Sequence, residues 1–292
     1  VVPQIASIGE SDLALLAQCF LPLIGQGEAE FGGEILPGAE AMRRAGIEAP
    51  AFGPKDGLAL VSANSGSVGP GVLVLEDARR VLDALAAAMA LSLEGFRGNP
   101  TPFDARLTAL RPAPGQETAA AQLRALLDNS LLNQPKGAEG GPRRVQDPLS
   151  FRCFASVQGA ALFAVEQVEL ALLRELGGAG DNPSVLIEDG IMISGGNFDI
   201  TALALTFEML GQALAQCAIL ANARIARLQS PVLSELPRFL TPHGATHAGL
   251  GVTPKASGSL EAEIRHLALP VSLAVAPTAD GVEDFATMAP RV

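Results

Sequence analysis

The sequence predicts a mainly α protein built as a bundle of long helices. Three observations predict it: long Ala- and Leu-rich stretches with charges on one side, sparse strand-like material, and runs of Gly and Pro that punctuate the apolar stretches. In chain order, the first helix is expected over Asp12 to Ile24, with Ser11 or Asp12 as its N-cap, because a short polar side chain there can accept an unpaired amide. Ala29 to Phe31 and Gly33 to Ile35 read as a small hairpin. A second helix runs from Leu75 to Leu93 and stops at the breakers Gly95, Gly98, Pro100 and Pro102. A shorter one covers Thr118 to Asn129, and the polar run from Asn133 to Pro148 reads as an exposed loop. Phe154 to Leu176 is a long helix closed by Gly177-Gly178. Val185 to Ile187 and Ile191 to Ile193 form a second hairpin around Glu188-Asp189-Gly190. Thr201 to Gln229 is the longest helix, and Ser259 to Leu269 a late one ended by Pro270.

Composition narrows the function. A chain of 292 residues that is 48% hydrophobic can bury a large core in one or two domains. Its net charge of −11 argues against nucleic acid as a partner, since phosphate binding needs a clustered positive field, and fits ordinary solubility. Twelve Phe stand beside no Tyr and no Trp, so a mechanism that needs a phenol must find it on another chain. Cys19, Cys153 and Cys217 are widely spaced and show neither a zinc spacing nor a disulfide framework, which suggests reduced thiols and a cytoplasmic location. His243, His247 and His266 form no recognisable metal set. The apolar segment Thr201 to Leu228 carries Glu208, Gln212, Gln216 and Arg224, and so reads as a core helix with no membrane partner. No signal peptide is expected from the opening Val1-Val2-Pro3. Without a starting Met, and ending at Arg291-Val292, residues 1–292 read as the central helical domain of something longer.

An ordered series of motifs carries a family resemblance. Ser7-Ile8-Gly9-Glu10-Ser11-Asp12-Leu13-Ala14-Leu15-Leu16 resembles, with one deletion, the Gly-Ser-x-Gly-Ala-Ser-Gly-Asp-Leu-Ala-Pro-Leu segment of the histidine and aromatic amino acid ammonia-lyases. Leu23 to Ala29, Leu36 to Gly46 and Gly53 to Leu60 are similar to that family's Ala-Leu-Ile-Gly-Glu-Gly-Glu, Met-Pro-Gly-x-Glu-Ala-Leu-x-x-Ala-Gly and Pro-Lys-Glu-Gly-Leu-Ala-Leu. Gln146 to Cys153, Asp181-Asn182-Pro183 and Ile193 to Phe198 follow in the same order, with Glu283 to Met288 near the end. The resemblance implies the helical fumarase/aspartase-like core and a homotetramer that assembles its sites across subunits. Relative to that pattern the N-terminal and C-terminal regions are absent.

The resemblance also implies a chemistry. In these lyases an electrophile captures the substrate so that the α-amino group can leave, and a base takes a poorly acidic β-proton. The electrophile is a methylidene-imidazolone made when Ala-Ser-Gly cyclises and dehydrates, so no external cofactor is expected. Here Glu10-Ser11-Asp12 replaces that tripeptide, and the Asp12 side chain hinders the turn where Gly would not. Ser11 therefore reads either as the residue that dehydrates or as a helix cap.

Ser62 stands where the family has an Asn that holds the electrophile's oxygen, and Asn64 lies close enough to compensate. Gln146, Asp147 and Arg152 keep the family's residue types, with Leu149 in place of a Tyr. Arg152 suits a substrate carboxylate through its planar, two-pronged donor, or serves as a salt bridge in the core. Phe198 matches an aromatic position lining the family's pocket and also fits simple core packing. Glu263 aligns with a Glu near the substrate amine, or is an exposed helical Glu.

Two classes of function follow. One is a carbon–nitrogen lyase acting on histidine or an aromatic amino acid, with Ser11, Ser62, Arg152 and Glu263 as catalytic candidates and Gln146, Asn64 and Phe198 as substrate-binding ones. The other is a homologue without lyase activity, a structural or regulatory subunit, or a piece that needs a partner chain.

Overall fold

The computed structural model describes residues 1–273 and 278–292. In chain order the elements are α1 (Leu13–Phe20), β1 (Glu28–Phe31), β2 (Glu34–Pro37), α2 (Gly38–Ala45), α3 (Asp56–Val61) and α4 (Ser65–Phe96). Then come α5 (Ala105–Leu110), α6 (Gln116–Leu126), α7 (Leu149–Arg152), α8 (Phe154–Leu176), β3 (Ser184–Leu186) and β4 (Ile191–Ile193). The chain continues through α9 (Thr201–Leu228), α10 (Pro231–Ser234) and α11 (Thr253–Leu267). The mainly α prediction holds. The two antiparallel hairpins, β1 with β2 and β3 with β4, are the described strands.

The chain packs as two compact units. The first gathers Val1–Val74, Glu169–Thr206 and Pro270–Val292, and the second Leu75–Val168 and Phe207–Leu269. In the second unit Leu82, Ala86, Met89, Leu93 and Phe96 recur along one face of α4 at helical spacing and are buried. Phe96 stacks on Phe151 with ring centroids 4.4 Å apart, and Phe103 meets Phe154 edge-on at 6.4 Å. These rings, with Leu123, Leu127 and Leu132, belong to one buried hydrophobic cluster. Gly115 and Gly159 let the start of α6 approach α8 until backbone meets backbone, since a Cβ on either would overlap the other segment.

Several boundaries differ from expectation for local reasons. The first helix ends at Phe20 and gives way to a 3₁₀ turn over Leu21–Ile24, because Pro22 has no amide to continue the ladder. Helix α4 begins at Ser65, ten residues before the predicted start, despite Gly66, Gly69 and Pro70. Helix α11 begins at Thr253 with Pro254 in its first turn, where a missing amide costs nothing. The 133–148 segment is irregular as expected, yet Pro142 and Asp147 within it are buried. Three helical stretches, 56–96, 154–176 and 201–228, are long and apolar enough to cross a membrane by length and composition.

Candidate functional site

The first unit holds a cavity of about 370 Å³ at the N-terminal end of α1. Ser11, Ser62 and Phe198 line it, so three of the seven sequence-predicted site residues meet in one place. Ser11 is buried and takes a left-handed backbone conformation (φ 59°), which costs a residue with a Cβ on the order of 1 kcal/mol or more. The Ser7 hydroxyl donates to the Ser11 carbonyl at 3.2 Å and accepts the Gly9 amide at 3.1 Å, fixing the loop. Thr287 Oγ1 donates to the Gly9 carbonyl at 2.8 Å, and the Met288 amide to the Ile8 carbonyl at 2.8 Å, so the end of the chain is fastened to this segment.

Asp12 corrects one expectation. It occupies the N-cap position of α1, yet neither it nor Ser11 caps that helix through its side chain. The Asp12 carboxylate instead accepts the Ser67 amide at 2.7 Å and the Ser67 hydroxyl at 3.0 Å, in the first turn of α4. An anion suits the free amides at a helix N-terminus, so Asp12 caps a helix far along the sequence. Gly66 leaves room for that approach, since a Cβ there would sit 3.1 Å from Asp12. The Asp12 amide is engaged as well, donating to the Ala63 carbonyl at 2.7 Å.

The opposite wall comes from 182–199 and from 282–285. Ser62 Oγ is buried and accepts the Asn182 amide at 3.2 Å. Asn64 sits behind the wall, buried, its amide nitrogen donating to the Phe198 carbonyl at 2.9 Å while its Oδ1 has no partner. Lys55 closes an ion pair with Asp181 at 2.7 Å and thereby holds the neighbouring turn. Asn182 Oδ1 accepts the Gly195 amide at 2.9 Å, tying the two arms of the β3–β4 region together.

Glu10, Asp199, Glu283 and Asp284 contribute four carboxylates to the lining, which contains no Lys, Arg or His among the described residues. One Glu10 oxygen is buried without a hydrogen-bond partner. Burial pushes the Glu10 carboxyl above the usual carboxylate range, and the charges of Glu283 and Asp284 push the same way. No cluster of metal-binding side chains is found among the described residues. In the sequence, Asp181-Asn182-Pro183 and Glu283-Asp284-Phe285 are family landmarks without an assigned role. Their shared role as a wall facing Ser11 depends on a return of the chain that no local pattern announces.

The other candidates belong to the second unit. Arg152 ends α7, half-buried, with a buried Nε that lacks a partner. Gln146 is exposed, while Asp147 beside it is buried and accepts the Asn99 amide at 2.5 Å. Burial raises the Asp147 carboxyl, against the opposing pull of that hydrogen bond and of Arg144, Arg143 and Arg152. Glu263 is exposed on α11.

Long helices with a polar, strained loop at the head of α1 define a mainly helical scaffold with one polar cavity. The family described as aromatic amino acid lyase matches residues 1–292. A histidine ammonia-lyase of Symbiobacterium thermophilum is 40% identical over 289 residues, covering 99% of this chain and 56% of the relative. Among solved structures, the ergothioneine-degrading ergothionase of Treponema denticola superposes with a TM-score of 0.92 at 34% identity, over 99% of this chain and 57% of that one. The histidine ammonia-lyase of Trypanosoma cruzi gives a TM-score of 0.87 at 28% identity, over 99% and 54%. The chain belongs to the aromatic amino acid lyase family and shares its helical fumarase/aspartase-like fold. It spans a little over half the length of these relatives.

Proposed function

We propose that the protein is a carbon–nitrogen lyase acting on histidine, an aromatic amino acid or a close derivative. The observation that carries this reading is the cavity in which Ser11, Ser62 and Phe198, all from family motifs, face one another. Its chemistry would be a β-elimination: a base removes the proton next to the ring, and the α-nitrogen leaves. Arg152 and Gln146 keep the residue types that the resemblance assigns to substrate binding, and Arg152 has a donor free for a carboxylate.

Family members use an electrophile made from their own backbone. The residues here do not fit that group. Ring closure needs the third residue's nitrogen to attack the first residue's carbonyl, but the Asp12 amide and carboxylate are both held elsewhere. The replacement also lends support to the second reading, a homologue without lyase activity or one serving as a subunit of a larger assembly. Free thiols at Cys19, Cys153 and Cys217 support a reducing, cytoplasmic location. Exposed leucines on the long helices support association with further copies.

The test is a substrate panel presented to the complete protein: histidine, phenylalanine, tyrosine, their N-methylated derivatives, and ergothioneine, the compound that the similar Treponema denticola enzyme degrades. Appearance of the α,β-unsaturated acid, read by its ultraviolet absorbance, is the expected result. A panel left wholly unconsumed removes the lyase reading and leaves the non-lyase homologue.

A further inference from the structure

A second and larger cavity lies within the second unit. It measures about 640 Å³, against about 370 Å³ at the head of α1, and the two share no lining residue. We propose that it binds a small carboxylate with an apolar, ring-sized body.

Three stretches of chain enclose this cavity: residues 99–104, the end of α6 with the turn that runs on to Lys136, and residues 142–145. Hydrogen bonds tie these stretches down. Asn99 Nδ2 donates to the Val145 carbonyl at 2.7 Å, and the Asn99 amide to Asp147 at 2.5 Å. Arg124 Nη1 donates to the Phe103 carbonyl at 2.7 Å, and Asn133 Nδ2 to the Leu127 carbonyl at 2.7 Å. The walls are therefore set before any ligand arrives. The volume falls in the range of roughly 300–1,000 Å³ usual for small-molecule sites.

The lining is apolar below and charged above. Phe103, Leu127 and Leu132 are buried side chains that form an apolar floor, and Pro135 and Pro142 add rigid walls. Two of the charged lining residues are already matched. Asp104 is gripped by Arg106 at 2.6 Å, and Arg124 reaches Glu117 at 2.6 Å. Asp128 and Lys136 are exposed and make no ion pair among the described residues. Arg144 is matched loosely. Its ion pair with Glu235 is 3.9 Å long, Arg143 holds the same carboxylate at 3.0 Å, and Arg144 Nη1 is buried without a partner. The Phe96 ring, 5.3 Å from its guanidinium carbon, packs against this arginine and orients it. Two cations against one carboxylate leave a surplus of positive charge beside an apolar floor. A ring covers that floor, and a carboxylate on the ring meets Lys136 and Arg144. A bare anion would leave the floor wet, and an ammonium would meet the wrong charge.

The experiment titrates the complete protein with 2-naphthoate by calorimetry. Acetate supplies the charge without the body, and 2-naphthylmethylamine the body with the opposite charge. One naphthoate per chain is expected, with acetate and the amine at least about tenfold weaker. Arg144→Gln should weaken naphthoate about tenfold or more, and Lys136→Glu by about threefold or more. Lys136 is exposed, so its variant decides the matter if Arg144→Gln does not fold. Absence of naphthoate binding, or equal binding of acetate or the amine, overturns the proposal. Affinity unchanged in either folded variant overturns it too, because naphthoate then sits elsewhere. Turnover plays no part in the readout, so this proposal and the lyase reading stand or fall separately.

Discussion

At the scale of single residues, the Glu10 carboxyl makes stability depend on pH. Its carboxyl is raised by burial first and by Glu283 and Asp284 second, so the folded protein holds that proton to higher pH than the unfolded chain does. Stability therefore falls as pH rises from the group's ordinary value near 4.5 through its raised one, because the unfolded state binds fewer protons across that window. Glu10→Gln removes this penalty. The variant should be more stable than the parent at neutral pH and no more stable below pH ~4, where both side chains are uncharged. Thermal melts of both proteins across pH checks this, and parallel curves would show that Glu10 carries no such cost.

At the scale of elements, Asp12 decides where α4 begins. It binds the Ser67 amide and hydroxyl from outside the helix. Asp12→Ala should cost roughly 1–2 kcal/mol, while Asp12→Asn, which keeps an acceptor, should cost less. Urea unfolding distinguishes them, and an unchanged midpoint in the Ala variant would show that the cap is idle. The same residue explains what was legible in the sequence. Helix α8 could be read to both ends, and α9 to within a residue, because apolar spacing and the breakers beyond them are local signals. The first ten residues of α4 could not, because Gly66, Gly69 and Pro70 look like a turn until a carboxylate from a distant segment caps them. The site divides along the same line. Ser11, Ser62 and Phe198 were legible from motifs, whereas the acidic wall of Asp199, Glu283 and Asp284 forms only when two segments far apart in the sequence meet. The cap expected on α1 was misplaced for this reason: position suggested the nearest helix, and geometry chose another.

At the scale of the whole molecule, the apolar residues left outside are as informative as those inside. Leu73 and Leu91 on α4 are 70% and 74% exposed, and Leu173 on α8 is 61% exposed. Single exposed leucines are ordinary, but several on long helices are what a subunit presents before its neighbours cover it. The family resemblance implies that the covering is by further copies, as a tetramer. Leu91→Glu separates the possibilities. On a helix face that stays in water, this change should alter stability by no more than about 0.5 kcal/mol and leave the mass in solution untouched. On a face buried between copies, it places an unpaired charge in an apolar contact, and the assembly should come apart. We expect light scattering to give a tetramer for the complete protein and a smaller species for the Leu91→Glu variant, with helix content by circular dichroism unchanged. A parent that is already monomeric, or a variant that stays tetrameric, would show that this face of α4 lies outside any subunit contact.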